Sequence, residues 1–206
     1  SRMMPMGGSM PSGTSNIIQV LPFNTNGFED TYSTIEIGSP APHGLALSND
    51  GSKVFTASNT ADWLYEISIS GDLSLNAPLG QNTQPDFPIN QLKPIQCIFI
   101  GINRLLVSCS AGLWYNPYSG LNSQIPGQIQ LWDTENMTLI DTIQFSWNSS
   151  PWHLKSNAEE STIYVALSGD NLYEGSAGVA AIDLVNNDNL ELAWRAHDNS
   201  FKGLHG

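Results

Sequence analysis

Three of the four histidines fall at matching points of a repeating pattern: His43 follows Pro42, His153 closely follows Pro151, and His205-Gly206 repeats His43-Gly44. Imidazoles at equivalent points of a repeat converge if the repeats surround an axis. A ring of that kind suits a transition metal, copper above all. The competing reading is that each imidazole hydrogen-bonds backbone or water at its own strand start, and it is the one expected here. Met3, Met4, Met6 and Met10 are four of the five methionines. Clustered thioethers also suit Cu(I), but an apolar tail lying in a groove accounts for them more simply. Cys97 and Cys109 are the only cysteines, too few for a disulfide framework or a zinc site. Two buried thiols are expected, with a local cross-strand disulfide as the alternative. For calcium, Asp170-Asn171 with Glu174 is the best oxygen cluster, but no Asp-x-Asp-x-Asp-Gly loop is present.

A second group of residues suits recognition rather than catalysis. Trp114, Tyr115 and Tyr118 stand in a stretch running from Ser110 to Pro126, and Tyr173 and Glu174 end a stretch that begins at Ser168. Long connections between regular elements tend to be functional, and aromatic side chains on a rigid scaffold anchor partners. The alternative is that Trp114 and Tyr118 fold back as a lid. No Ser-His-Asp arrangement, phosphate loop or paired-cysteine motif stands out, and the reading leans away from an enzyme.

Composition narrows the partners. Nineteen acidic residues face 7 basic ones, a net charge of −12. The basic residues are scattered singly, so neither nucleic acid nor an anionic membrane has a patch to bind. No apolar run approaches the ~20 residues of a membrane span. Only 13% of residues are charged, and Asn, Ser, Thr and Gly are abundant. That balance reads as an extracytoplasmic protein (periplasmic, cell-surface or secreted), and a protein or glycan is the expected partner.

The elements that must position these residues follow from the turns. From Pro42, an alternating segment meets Asn49-Asp50-Gly51, and a second strand runs through Val54 to Ala57. Asp-Gly between alternating apolar runs is a strong hairpin signal. A further strand follows at Trp63-Leu64-Tyr65-Glu66-Ile67. The same order recurs from Pro94 and from Pro151, at spacings of about 52 to 57 residues, the length of propeller blades. No segment keeps an apolar period of 3.6 over three turns, so no substantial helix is expected. Four short antiparallel strands per unit predict an all-β fold, a β-propeller. The chain divides into a Met/Gly/Ser-rich tail (1–15), a half blade (16–41), three blades (42–93, 94–150 and 151–200) and the start of a next blade (201–206).

The segment Pro42-His43-Gly44-Leu45-Ala46-Leu47-Ser48-Asn49-Asp50-Gly51-Ser52-Lys53-Val54-Phe55 resembles the core of the YVTN-type repeat, P-x-G-hydrophobic followed by a Ser-Pro-Asp-Gly turn and Tyr-Val. That repeat belongs to YncE-like and lactonase-like seven-bladed propellers. The second unit departs from it with Gly101-Ile102-Asn103 at the turn, and the third with Asn157-Ala158-Glu159-Glu160. Leu131-Trp132-Asp133 is similar to the WD dipeptide, without its matching Gly-His. The resemblance implies a ring in which first strands line a central channel and functional groups gather at one face. It also implies ~4–8 blades in all, so the chain is expected to be part of a longer protein or to be completed by another chain. Lactonase-like relatives imply a small-molecule hydrolase as an alternative function. Arg104 and Arg195, on a second and a fourth strand, are poorly placed to serve a channel-mouth reaction.

Overall fold

The computed structural model describes residues 17–20, 23–28, 33–36, 42–58, 63–68, 75–78, 93–110, 112–116, 121–136, 138–169, 177–186 and 188–197. Every regular element among them is a strand. Three four-stranded antiparallel sheets follow one another along the chain. The first holds β5 (Pro42–Leu47), β6 (Lys53–Ser58), β7 (Trp63–Ser68) and β8 (Leu75–Pro78) in sequence order. The second holds β9 (Lys93–Ile100), β10 (Arg104–Ser110), β13 (Gln128–Asp133) and β14 (Thr138–Gln144). The third holds β15 (Ser149–Ser156), β16 (Thr162–Gly169), β17 (Gly178–Val185) and β18 (Asn189–His197). Each is a simple meander, the form of a propeller blade, and the chain is a partial β-propeller.

Three smaller pairings complete the described chain. Strand β1 (Ile17–Val20) pairs antiparallel with β4 (Ser33–Glu36), and between them β2 (Phe23–Asn24) pairs with β3 (Gly27–Phe28). Within the second blade, β11 (Gly112–Asn116) pairs with β12 (Leu121–Ile125).

Blades stack because alternate residues of each strand point to opposite faces and both faces must be covered. Ala46, Phe55 and Ala57 of blade one meet Cys97, Leu105, Val107, Cys109 and Trp132 of blade two. The other face of blade two, with Ile100, Leu106, Ile129 and Leu131, meets Leu154, Ile163, Val165 and Leu167 of blade three. Burying each large side chain contributes about 1.5–3 kcal/mol, so these two apolar seams are the main source of order. Cys97 and Cys109 are buried and remain thiols, not joined in a disulfide. Burial is the cause that pushes the Cys97 thiol up to about 12.

The first strand of every blade carries one extra residue that breaks the pairing register: Gly44 in β5, Ile95 in β9 and Trp152 in β15. At Gly44 a side chain has no room. A Cβ there would lie 2.7 Å from Gln96 Cα and 2.9 Å from the Ile95 carbonyl oxygen, and its φ of +57° is in the left-handed region. The glycine that follows His43 is therefore required by the close approach of blades one and two.

Candidate functional site

The meander puts the turns joining first to second and third to fourth strands at one end of the blades. The connections between second and third strands lie at the opposite end. That second end carries the aromatic stretch of blade two. The stretch from Ser110 to Pro126 was expected as a long loop; the structure instead pairs two strands within it, β11 with β12. Trp114 stands opposite Ser123 and Tyr115 opposite Asn122. The correction has a local cause. Leu113-Trp114-Tyr115 and Leu121 flank a Pro117-Tyr118-Ser119-Gly120 segment, and aromatic residues beside a Pro/Gly turn signal are the usual marks of a hairpin. Tyr118, Tyr173 and Glu174 lie outside the described residues, as do Asp170 and Asn171.

Of the histidines, His43 lies in β5 opposite Ala57, and His153 lies in β15 opposite Ala166. Both are therefore on first strands. His153 is exposed. In blade three the face turned away from blade two carries Lys155, Tyr164 and Trp194 in one row. Tyr164 and Trp194 are 43% and 48% exposed there. His205 and the methionine-rich tail lie outside the described residues. Among the described residues no three His, Cys, Asp or Glu side chains come together to hold a metal ion. Also among them, no helix is long and apolar enough to cross a membrane.

The end with the first-to-second turns carries more polar structure than the sequence suggested. In blade one, Asp50 accepts from Ser48 Oγ at 2.6 Å and from the Ser52 N–H at 2.9 Å. The Ser48 hydroxyl, then the Ser52 donors, hold its carboxyl down at about 2. In blade three, Asn157 Oδ1 takes the corresponding part, accepting from the N–H groups of Ser161 and Thr162 at 2.9 and 3.0 Å. Neighbouring turns are then tied together through Gly101. Its carbonyl accepts from Asn49 Nδ2 of blade one, and its N–H donates to Glu160 Oε2 of blade three at 2.6 Å.

Arg104 is a second tie at this end. Its Nη1 lies 3.1 Å from Asp133 Oδ2 and its Nη2 2.7 Å from Asp188 Oδ1. It thus joins a carboxylate of its own blade to one in the third-to-fourth turn of blade three. Burial alone would raise the Asp133 carboxyl. The N–H groups of Asn136 and Glu135 and the Arg104 guanidinium more than offset it and bring the group below the ordinary carboxylate range. Arg195 sits over the Phe145 ring, 5.9 Å from its centroid, and donates to Ser149 Oγ. Partial burial lowers its affinity for the proton.

The same end holds a cleft of about 240 Å³ between blades one and two. Phe99 lines it and packs edge to face on the fully buried Phe55, with ring centroids 5.4 Å apart. Asp50, Lys53, Ile102 and Glu135 stand around it. Sequence reasoning passed over this cleft because its walls come from turns more than eighty residues apart, at Asp50 and Glu135.

No protein-family model and no curated relative matches the sequence. Solved structures do match the fold. A crystallised protein of Bacteroides uniformis named as a 6-phosphogluconolactonase aligns with a TM-score of 0.64 at 12% identity, over 89% of this chain and 52% of that one. The dihydro-heme d1 dehydrogenase NirN, solved in complex with DHE, aligns with a TM-score of 0.53 at 13% identity, over 88% and 33% of the respective chains. A chain of the mitotic checkpoint complex gives 0.55 at 13% identity, over 85% and 44%. The chain spans about half the length of the first of these and less of the others. At such identities the likeness is one of fold.

Proposed function

We propose that this chain is part of an extracytoplasmic β-propeller that acts as a non-catalytic binding module and grips a protein or glycan partner with the second-to-third strand connections of blades two and three. The observation that carries the reading is the β11–β12 hairpin, an ordered addition to an otherwise plain four-stranded blade. Trp114 and Tyr115 lie in its first strand, at the end away from the turns that tie the blades together. Tyr118, Tyr173 and Glu174, which lie outside the described residues, are included in the proposal on their sequence positions. The low charged fraction of 13% supports the extracytoplasmic assignment. The Pro42–Phe55 segment supports kinship with YVTN-type propellers.

The test is a pull-down from the native extracytoplasmic fraction with the chain and with a Trp114→Ala/Tyr118→Ala variant. The reading expects a partner retained by the first and lost by the second, with unchanged circular dichroism. A variant that keeps every partner overturns it.

The likeness to the protein named as a 6-phosphogluconolactonase favours a second reading, a lactonase-like hydrolase. Incubation of the natively purified protein with a panel of sugar-acid lactones, followed by titration of released acid, decides it. Turnover above the spontaneous rate supports a hydrolase, and none removes that reading.

A further inference from the structure

The hairpin of blade two is an outgrowth of the blade itself. Cys109 stands opposite Gln128 in the β10–β13 ladder, and Gly112 stands opposite Ile125 in the β11–β12 ladder. The two registers are one, so the β11–β12 pair carries the β10–β13 pair on past the end of the blade. The outer edge of β12 therefore continues the edge of β13 that pairs with β14. Strand β14 does not follow it. Gln144 pairs with Gln128, and the Phe145 N–H donates to the Gly127 carbonyl at 2.7 Å. The chain then turns, with the Ser149 N–H on the Ser146 carbonyl, and enters β15. Beside Leu121–Ile125 no described strand takes over from β14. Alternate residues of a strand edge direct their N–H and C=O groups outward, so β12 offers a row of donors and acceptors to whatever chain lies there.

Edges of this kind are ordinarily guarded by charge, proline or a bulge, because an unpaired strand is a template for another chain. The six outer strands of the three blades are all guarded. Pro42 stands in β5, Pro78 in β8, Lys93 in β9, Asp141 in β14, Lys155 in β15 and Glu191 in β18. Each of these strands also breaks register with the strand it pairs with. Strand β12 has neither charge nor proline, and its pairing with β11 runs without a break. No charged residue occurs anywhere from Leu105 to Trp132. The edge that runs past the blade is the one left unguarded.

A row of main-chain groups is satisfied by another extended main chain, which repeats at the same spacing; a glycan has no such repeat. The absence of charge on β12 gives a charged residue of an added strand nothing to pair with. A second copy of this chain is opposed at long range, since each copy carries a net charge of −12. We propose that the outer edge of β12 takes up an extended, uncharged segment of a partner protein as an added strand, in the line that β14 leaves at Gln144. This names the partner class for the hairpin and rests on the hairpin as the partner site, but main chain rather than Trp114 and Tyr118 makes the contact.

The experiment is an NMR titration of the 15N-labelled chain with acetyl-Ser-Thr-Val-Thr-Val-Thr-Ser-amide. The comparison is the same peptide N-methylated at two adjacent central residues, which blocks pairing along both of its edges. The expected result is saturable shifts and slowed hydrogen exchange at alternate amides of Leu121–Ile125, with the N-methylated peptide bound about tenfold more weakly. Gln124→Lys, at an exposed position, installs the missing guard and should weaken the peptide about threefold. Trp114→Ala/Tyr118→Ala should bind it as the parent does. No saturable shifts, shifts located elsewhere, or equal binding of the N-methylated peptide overturn the proposal. The same amides shifting with chain concentration alone place a second copy on the edge and overturn it too. If the Trp114→Ala/Tyr118→Ala variant loses its pull-down partner and no peptide binds β12, the side-chain grip stands and the added strand falls. If peptide binds β12 while that variant keeps every pull-down partner, the side-chain grip falls and the added strand stands.

Discussion

The carboxylate of Glu160 in blade three accepts the backbone N–H of Gly101 in blade two at 2.6 Å, and Glu160 holds a left-handed backbone with φ of 55° to do so. The corresponding turn position of blade one is Gly51, with φ of 72°. A non-glycine residue in that conformation costs roughly 1–2 kcal/mol, and here its side chain bridges two blades in return. Removing the side chain while keeping a Cβ should therefore be worse than removing both. Glu160→Ala is expected to lower stability by about 1 kcal/mol, whereas Glu160→Gly should be close to neutral, because the relieved strain offsets the lost hydrogen bond. Urea unfolding of the two variants checks this. A glycine variant as unstable as the alanine one contradicts the account.

Gly44 yields a sharper contrast. Gly44→Ala adds a methyl 2.7 Å from Gln96 Cα, between two backbones that cannot separate without opening an interblade seam. Gly51 also has a positive φ but nothing within 4 Å of its Cβ position. The expected cost is about 2–4 kcal/mol for Gly44→Ala, from overpacking plus backbone strain. Gly51→Ala carries the strain alone, about 1–2 kcal/mol. Thermal melts of the two variants should rank them in that order, and equal melts would show that the close approach carries no penalty.

Asp50 makes part of the stability depend on acid. The Ser48 hydroxyl and the Ser52 donors lower its carboxyl from 3.8 to about 2. A depressed carboxyl contributes stability that is fully present above its unfolded value and is lost as pH falls through the folded one. The loss should therefore fall between about pH 4 and pH 2. Urea midpoints at those two pH values should differ less for Asp50→Asn than for the parent chain. An identical acid profile in the variant would show that this turn carries no titrating bond.

Cys97 should be inert to thiol reagents in the native state. Its thiol is buried, and that burial raises it from 9.0 to about 12. Reactivity depends on the thiolate, so iodoacetamide at pH 8 should label Cys97 only as fast as the chain opens, and promptly in urea. A raised thiol contributes stability that is present below its unfolded value and fades as pH climbs toward the folded one. The loss of stability between neutral and alkaline pH should consequently be smaller for Cys97→Ala than for the parent. Fast native labelling, read by peptide mass mapping, would contradict the buried position.

The sequence by itself determined what depends on neighbours along the chain. Alternating apolar residues around Asn49-Asp50-Gly51 specify a hairpin, because the turn geometry and the strand period are both local properties. Recurrence of that order at Pro94 and Pro151 was enough for an all-β blade architecture. The β11–β12 hairpin was legible on the same terms, in Trp114-Tyr115 ahead of Pro117 and Gly120, but the length of the stretch hid it. Contacts between blades were another matter. Nothing near Gly44 announces that Gln96 lies against it, and nothing near Arg104 announces Asp188. Only the tertiary structure decided these relationships, since they depend on which turn of one blade faces which turn of the next. Residues 50 and 32 apart in the chain set that facing, through the apolar seams that bring Phe55 to Leu105 and Leu131 to Ile163.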